Sequence, residues 1–107
     1  DVREVEKRIN DGDDYAKLIY DAMVYKCSKW VGAMAAACAE KVDAIIITGG
    51  IANSKMFTGL LTQHVGFIAP VDIIPGEYEM EALAAGITRV LNGEEIAREY
   101  REDEKIR

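Results

Sequence analysis

The segment Val42-Asp43-Ala44-Ile45-Ile46-Ile47-Thr48-Gly49-Gly50-Ile51-Ala52-Asn53-Ser54-Lys55 constrains the fold of this chain more than any other. An apolar, largely β-branched run stops at two glycines, and a polar Asn-Ser pair then opens an amphipathic stretch. The pattern predicts a strand over residues 44–48, covered on both faces as parallel strands usually are. A tight turn and a helix capped by Asn53 or Ser54 follow. Such a turn offers bare backbone and unpaired N–H groups at the end of a strand, a common place for nucleotides. A plain strand-to-helix turn uses the same residues, and spacing alone does not separate the two readings. The GxxxxGK[ST] and GxGxxG spacings are both absent.

The flanking sequence reads as an alternation of helices and strands. Residues 2–9 predict a short charged helix. Residues 10–14 form a turn that ends in a cap at Asp13 or Asp14. A long helix to about residue 40 follows. Its seam steps by three and four through Tyr15, Leu18, Ile19, Ala22, Met23, Cys27, Trp30, Val31, Met34, Ala35 and Cys38. The helix after the glycine turn carries Met56, Phe57, Leu60, Leu61 and His64, and Gly66 closes it. Residues 67–74 predict a second strand, which Pro70 assigns to an edge or a bulge. A third helix spans residues 77–92, with the seam Met80, Leu83, Ala84, Ile87, Val90 and Leu91, and Asn92-Gly93 ends it. A charged last helix is predicted from Glu94 to about Tyr100.

The two strands, joined by a helix, should run parallel with a right-handed crossover. Two parallel strands make a poor sheet alone, and the first is too apolar for a bare edge in water. The expectation is therefore an α/β fold whose remaining strands come from upstream in a longer protein or from a partner chain. A first residue of Asp1 rather than Met fits a piece of a longer protein.

The 107 residues suffice for one small domain, and half of them are hydrophobic, enough for a core. A net charge of −6 with no dense basic cluster argues against a nucleic-acid binder. An anionic nucleotide remains compatible, because local backbone dipoles outweigh net charge at short range. No apolar stretch is long enough to span a membrane and no signal-peptide pattern is present; the expected cytoplasmic location rests on reading the two cysteines as free thiols in a reducing compartment. Cys27 and Cys38 fall on the predicted buried face as free thiols, too far apart along one helix for a disulfide. His64, the only histidine, has no ligand-type neighbour in sequence that would suggest zinc.

Three local patterns carry candidate chemistry. The glycine turn is the first. Glu77, Glu79 and Glu81 at the start of the third helix suit either Mg²⁺, held through oxygen or water, or plain complementarity to the helix dipole. Asp1-Val2-Arg3 is a ligand clamp or a surface ion pair. No Ser-His-Asp or Cys-His set is present.

Four segments together carry a resemblance: Asp1-Val2-Arg3-Glu4-Val5, residues 42–52, Phe67-Ile68-Ala69-Pro70-Val71, and the run from Pro75 to Ala84. In order and spacing they look like the C-terminal part of the butyrate kinases. These belong with acetate kinase to the acetokinase family, in the superfamily of actin, sugar kinases and the Hsp70 ATPase. The resemblance implies a ribonuclease-H-like (actin-like ATPase) C-terminal domain, of which residues 1–107 are a part. It implies the reaction of ATP and butyrate to ADP and butyryl phosphate, with Mg²⁺, in a homodimer or higher homo-oligomer. Nucleotide contacts carry over to Asp1, Val2 and Arg3, and to Gly49, Gly50, Ile51, Ala52 and Asn53. The metal-associated glutamate carries over to Glu79, with Glu77 as its neighbour.

The chain departs from the acetate kinase form at two places. Its turn reads Gly-Ile-Ala-Asn-Ser instead of Gly-Ile-Gly-Glu-Asn, and Tyr78 precedes Glu79 where two glutamates would be consecutive. Family members are several times longer, and their substrate pocket and catalytic arginines lie in a domain without counterpart here. The chain alone is therefore expected to be inactive. Two other readings compete. One is the ATPase activator of a radical dehydratase, which needs cysteines for an iron–sulfur cluster. The other is a non-enzymatic oligomerisation module.

Overall fold

β1 (Ile45–Gly49) and β2 (Val71–Pro75) pair in parallel, with Ile45 opposite Val71, Ile47 opposite Ile73 and Gly49 opposite Pro75. The computed structural model describes residues 1–99. The chain divides into two units, Asp1–Glu77 and Tyr78–Arg107. The first holds α1 (Val2–Asn10), α2 (Asp14–Ala37), β1, a 3-10 turn (Gly50–Asn53), α3 (Lys55–Val65) and β2. The α/β class and the parallel pairing are as expected from sequence.

Period-two alternation decides what β1 buries. Ile47 is buried and joins Tyr20 and Val24 of α2 with Phe57, Leu61 and Val65 of α3 in one core. Ile46, its neighbour, points to the other face and is 60% exposed. Of the two faces expected to be covered, residues 1–77 cover one. Within residues 1–77 the helical layer lies on the Ile47 side, and the Ile46 side is left open. Pro70 stands just before β2, where its missing N–H breaks no ladder bond, and its carbonyl accepts from the Ile45 amide at 2.8 Å.

The seam of α2 also differs from expectation. The buried positions are Ala16, Tyr20 and Val24, with Met23, Cys27 and Val31 half-buried beside them. Tyr15, Leu18, Ile19, Trp30 and Met34 are exposed instead. The first half of this helix is apolar almost all round, so periodicity does not select a face. On the face that is buried, the Tyr20 hydroxyl finds partners on α1 and at the start of α3, so its polar tip is satisfied there. Cys27 is half-buried, and Cys38, at the C-cap of α2, is exposed rather than buried; both are free thiols.

The caps explain the boundaries. Asp13 caps α2 by accepting from the Ala16 amide at 2.9 Å, and it pairs with Arg8 of α1 at 2.6 Å. The Ala16 amide first, and then the Arg8 guanidinium, hold the Asp13 carboxyl below its ordinary value of 3.8. A carboxyl depressed on folding adds stability above its unfolded pKa and loses it as pH falls through the folded value. An acid titration followed at the Asp13 side-chain carbonyl carbon is expected to show protonation below pH 3.8, and with it loosening of the α1–α2 corner.

Past the other end of α2, Ala39 sits at φ 53°, a left-handed conformation that disfavours a Cβ. Ala39→Gly is expected to stabilise the chain by about 1 kcal/mol, read as a higher denaturation midpoint.

In the second unit, α4 spans Glu79–Leu91 with no buried residue, and Met80, Leu83, Ile87 and Leu91 of its seam are exposed. Asn92 and Gly93, the latter at φ 75°, end it as expected. The last helix does not form over residues 94–99. There the Glu94 and Glu95 amides fold back onto the Arg89 carbonyl, and Glu95 pairs with Arg89 at 2.9 Å, which diverts the chain from a new helical axis. Tyr100 lies outside the described residues. Among the described residues no helix is long and apolar enough to cross a membrane.

Candidate functional site

Two backbone features shape the end of β1. Gly49 has φ 81° and ψ −174°, a region essentially closed to residues with a Cβ. It turns the chain out of the strand into the Gly50–Asn53 turn, which the Asn53 side-chain amide fastens by donating to the Gly50 carbonyl at 3.1 Å. A Cβ on Gly50 would lie 3.2 Å from Glu77 Oε1, so the Glu77 carboxylate rests directly against this turn. The Gly76 amide, donating to the Gly49 carbonyl at 3.4 Å, holds the start of that segment in place.

Ser54 then joins two elements. Its amide donates to the Ile51 carbonyl at 3.0 Å, closing the 3-10 turn, and its Oγ accepts from the Phe57 amide at 3.0 Å, capping α3. Of the two predicted caps, Ser54 is the one used. The partial positive end of α3 therefore begins at the same residue that ends the glycine turn.

The opposing wall comes from α1. Asp1 caps that helix, accepting from the Arg3 amide at 3.0 Å, and its carboxylate also pairs with the Arg3 guanidinium at 2.6 Å. The pair is exposed, so it orients Arg3 more than it stabilises the fold. Between the walls lies a cleft of about 580 Å³ lined by Asp1, Val2, Arg3, Glu6, Gly50, Ile51, Asn53 and Ser54.

The cleft thus gathers six of the predicted contact residues from two segments almost fifty positions apart. Ala52 is not among its lining residues: it is buried in the core, 4% exposed, so its methyl packs inward. Gly49 acts one step back, through the backbone. Glu77 abuts the turn. Glu79 begins α4 in the second unit.

Sequence reasoning missed Glu6 and Tyr20. Glu6 Oε1 accepts from Tyr20 Oη at 2.6 Å and from Ser54 Oγ. Glu6 follows Val2 and Arg3 by four and three positions, so the helical period already puts all three on one face. Burial first, and then the Glu6 carboxylate, push the Tyr20 hydroxyl up to about 12. Tyr20 therefore stays a neutral donor at neutral pH.

Residues 1–75 match the model of the acetokinase family. The chain is 49% identical over 100 residues to a probable butyrate kinase 2 of Caldanaerobacter subterraneus, covering 94% of this chain and 28% of that protein. It is 48% identical over 98 residues to butyrate kinase 2 of Clostridium acetobutylicum, covering 92% of this chain and 28% of that protein. A probable butyrate kinase 1 of Thermotoga maritima is 50% identical over 86 residues, which cover 80% of this chain and 24% of that protein. The chain spans little more than a quarter of the length of these curated relatives.

Proposed function

We propose, on the premise that the chain belongs to the acetokinase family, that it forms the nucleotide-side, C-terminal part of a carboxylate kinase. The whole enzyme moves the γ-phosphoryl group of ATP onto butyrate or a similar short-chain carboxylate, leaving ADP and an acyl phosphate. One observation carries this reading: Asp1-Val2-Arg3 and Gly50-Ile51 with Asn53, to which the family resemblance carries nucleotide contacts, lie almost fifty positions apart in the chain and line a single cleft.

Each residue has a limited task. Gly49 holds the turn open, Gly50, Ile51 and Asn53 form the wall beside adenosine, and Asp1, Val2 and Arg3 form the wall across from it. The start of α3 adds a partial positive charge. A carboxylate substrate is ionised at neutral pH, so no base is needed to activate it, and catalysis rests on positioning and on charge around the phosphoryl group. That chemistry belongs to residues outside this chain, and no catalytic residue is assigned within it.

Mg²⁺ would be held through Glu79 or Glu77, and when bound it neutralises phosphate charge. What supports this is the donor type and one placement: Mg²⁺ takes carboxylate oxygens, one or two with waters and substrate phosphates, and Glu77 Oε1 lies against the Gly50 turn. The exposed Ile46, Ile73 and Ile74 on the sheet, and separately the apolar face of α4, support burial against further protein, including a second copy. A cytoplasmic setting follows from this chemistry, since ATP is its substrate.

The test is trapping of the acyl phosphate as a hydroxamate, with butyrate and ATP–Mg²⁺, on the protein that carries this chain. Equal yields of ADP and hydroxamate are expected, with no turnover from residues 1–107 alone. ADP formed without hydroxamate would sink the carboxylate-kinase reading.

A further inference from the structure

We propose that Glu6 is a positioning residue for the nucleotide: its carboxylate ties the α1 wall of the cleft to the Gly50–Ser54 wall and fixes the distance between them. This rests on the nucleotide reading above.

Glu6 lies one helical turn beyond Val2 and Arg3 on the same face of α1. Its Oε1 accepts the Ser54 hydroxyl from across the cleft and the Tyr20 hydroxyl, at 2.6 Å, from α2. Ser54 cannot shift without disturbing the end of the glycine turn and the cap of α3, because its amide and Oγ serve both. Tyr20 is 2% exposed and held by the core, so it anchors the carboxylate from a fixed point. Among the described residues Glu6 takes part in no ion pair, although Lys7 and Arg8 follow it in the chain. A carboxylate beside a site for an anionic ligand opposes binding by charge. Its bonds to the Tyr20 hydroxyl of α2 and the Ser54 hydroxyl at the cap of α3 give it a geometric role there.

The experiment uses the full protein and measures ATP–Mg²⁺ affinity by equilibrium titration, with KM for each substrate and kcat. Tyr20→Phe removes one donor to Glu6 and no atom that lines the cleft. It is expected to raise the KM for ATP roughly three- to tenfold, less than direct loss of a bond to a charged group would, because Tyr20 acts on the nucleotide only through Glu6, while the KM for the carboxylate stays unchanged. Glu6→Ala is expected to do the same or more, and Glu6→Gln, which keeps an acceptor oxygen, to recover part of the loss. The combined Glu6→Ala/Tyr20→Phe protein should be no worse than Glu6→Ala alone, because both act through one contact.

An unchanged KM for ATP in Tyr20→Phe and Glu6→Ala, additive losses, or equal rises in both KM values would overturn the proposal. If Glu6→Ala does not fold, Tyr20→Phe decides by itself. A wild-type protein that binds no ATP defeats the nucleotide reading and this role with it. A wild type that binds, with variants that bind equally well, defeats only the role of Glu6.

Discussion

Gly49→Ala is expected to weaken ATP binding by about tenfold or more, without placing any atom in the cleft. The backbone at Gly49 has φ 81° and ψ −174°. Holding a residue with a Cβ in such a conformation costs on the order of 1–3 kcal/mol. A Cβ built there meets nothing within 4 Å, so the substitution acts through conformation and not through a clash. The chain relieves the strain by rotating the turn, and that rotation carries Gly50, Ile51 and Asn53 away from Asp1, Val2 and Arg3. A loss of ~1.4 kcal/mol corresponds to the tenfold change.

Gly50→Ala provides the contrast. There the new methyl meets Glu77 Oε1 at 3.2 Å, the end of a flexible side chain that can swing aside, and the effect on binding should be smaller. Titration of both variants with ATP–Mg²⁺, beside a thermal melt of each, checks the pair. A Gly49→Ala protein with wild-type affinity would mean that the turn does not shape the site.

Phe57→Ala is expected to remove about 3–5 kcal/mol of stability, the usual cost of truncating a buried aromatic side chain. Phe57 is 5% exposed and joins α3 to Tyr20 and Val24 of α2 and to Ile47 of β1. Domains are typically stable by only ~5–15 kcal/mol, so this one truncation removes a large share of the total. Its amide is also the one that Ser54 caps, so loosening Phe57 loosens the residue that joins α3 to the glycine turn. Urea denaturation followed by helix circular dichroism is the measurement. A midpoint within experimental error of wild type would show that α3 does not pack on α2 as described.

Much of this arrangement was legible in the sequence, and the misses have physical causes. The strand, the double glycine and the Ser54 cap were readable because each is a local pattern with a local reason: β-branching, a backbone that only glycine adopts, and a hydroxyl that caps a helix. Six of the eight cleft residues were recognisable, Asp1, Val2 and Arg3 only through the family resemblance, while Glu6 and the meeting of the two walls are tertiary facts.

The buried face of α2 was misread because Tyr15, Leu18 and Ile19 are as apolar as the residues that do turn inward. Which of two apolar faces meets α1, α3 and β1 is a tertiary matter, and so is the Tyr20–Glu6 hydrogen bond made on the face that does. Composition likewise says that Ile46 suits a buried environment, but not which element supplies it, and no element of residues 1–77 does. The final helix failed where Gly93 turns left-handed and the Glu94 and Glu95 amides close back onto the Arg89 carbonyl of α4.

The central claim is that the Asp1–Arg3 segment and the Gly50–Ser54 segment together form the adenosine side of an ATP site. Photolabelling of the protein that carries this chain with an azido-adenosine analogue of ATP, in the presence of Mg²⁺, tests it most directly. The account predicts that the label falls within residues 1–6 or 49–54 and that unmodified ATP competes it away. Saturable, ATP-competed labelling confined to peptides outside both segments would contradict it.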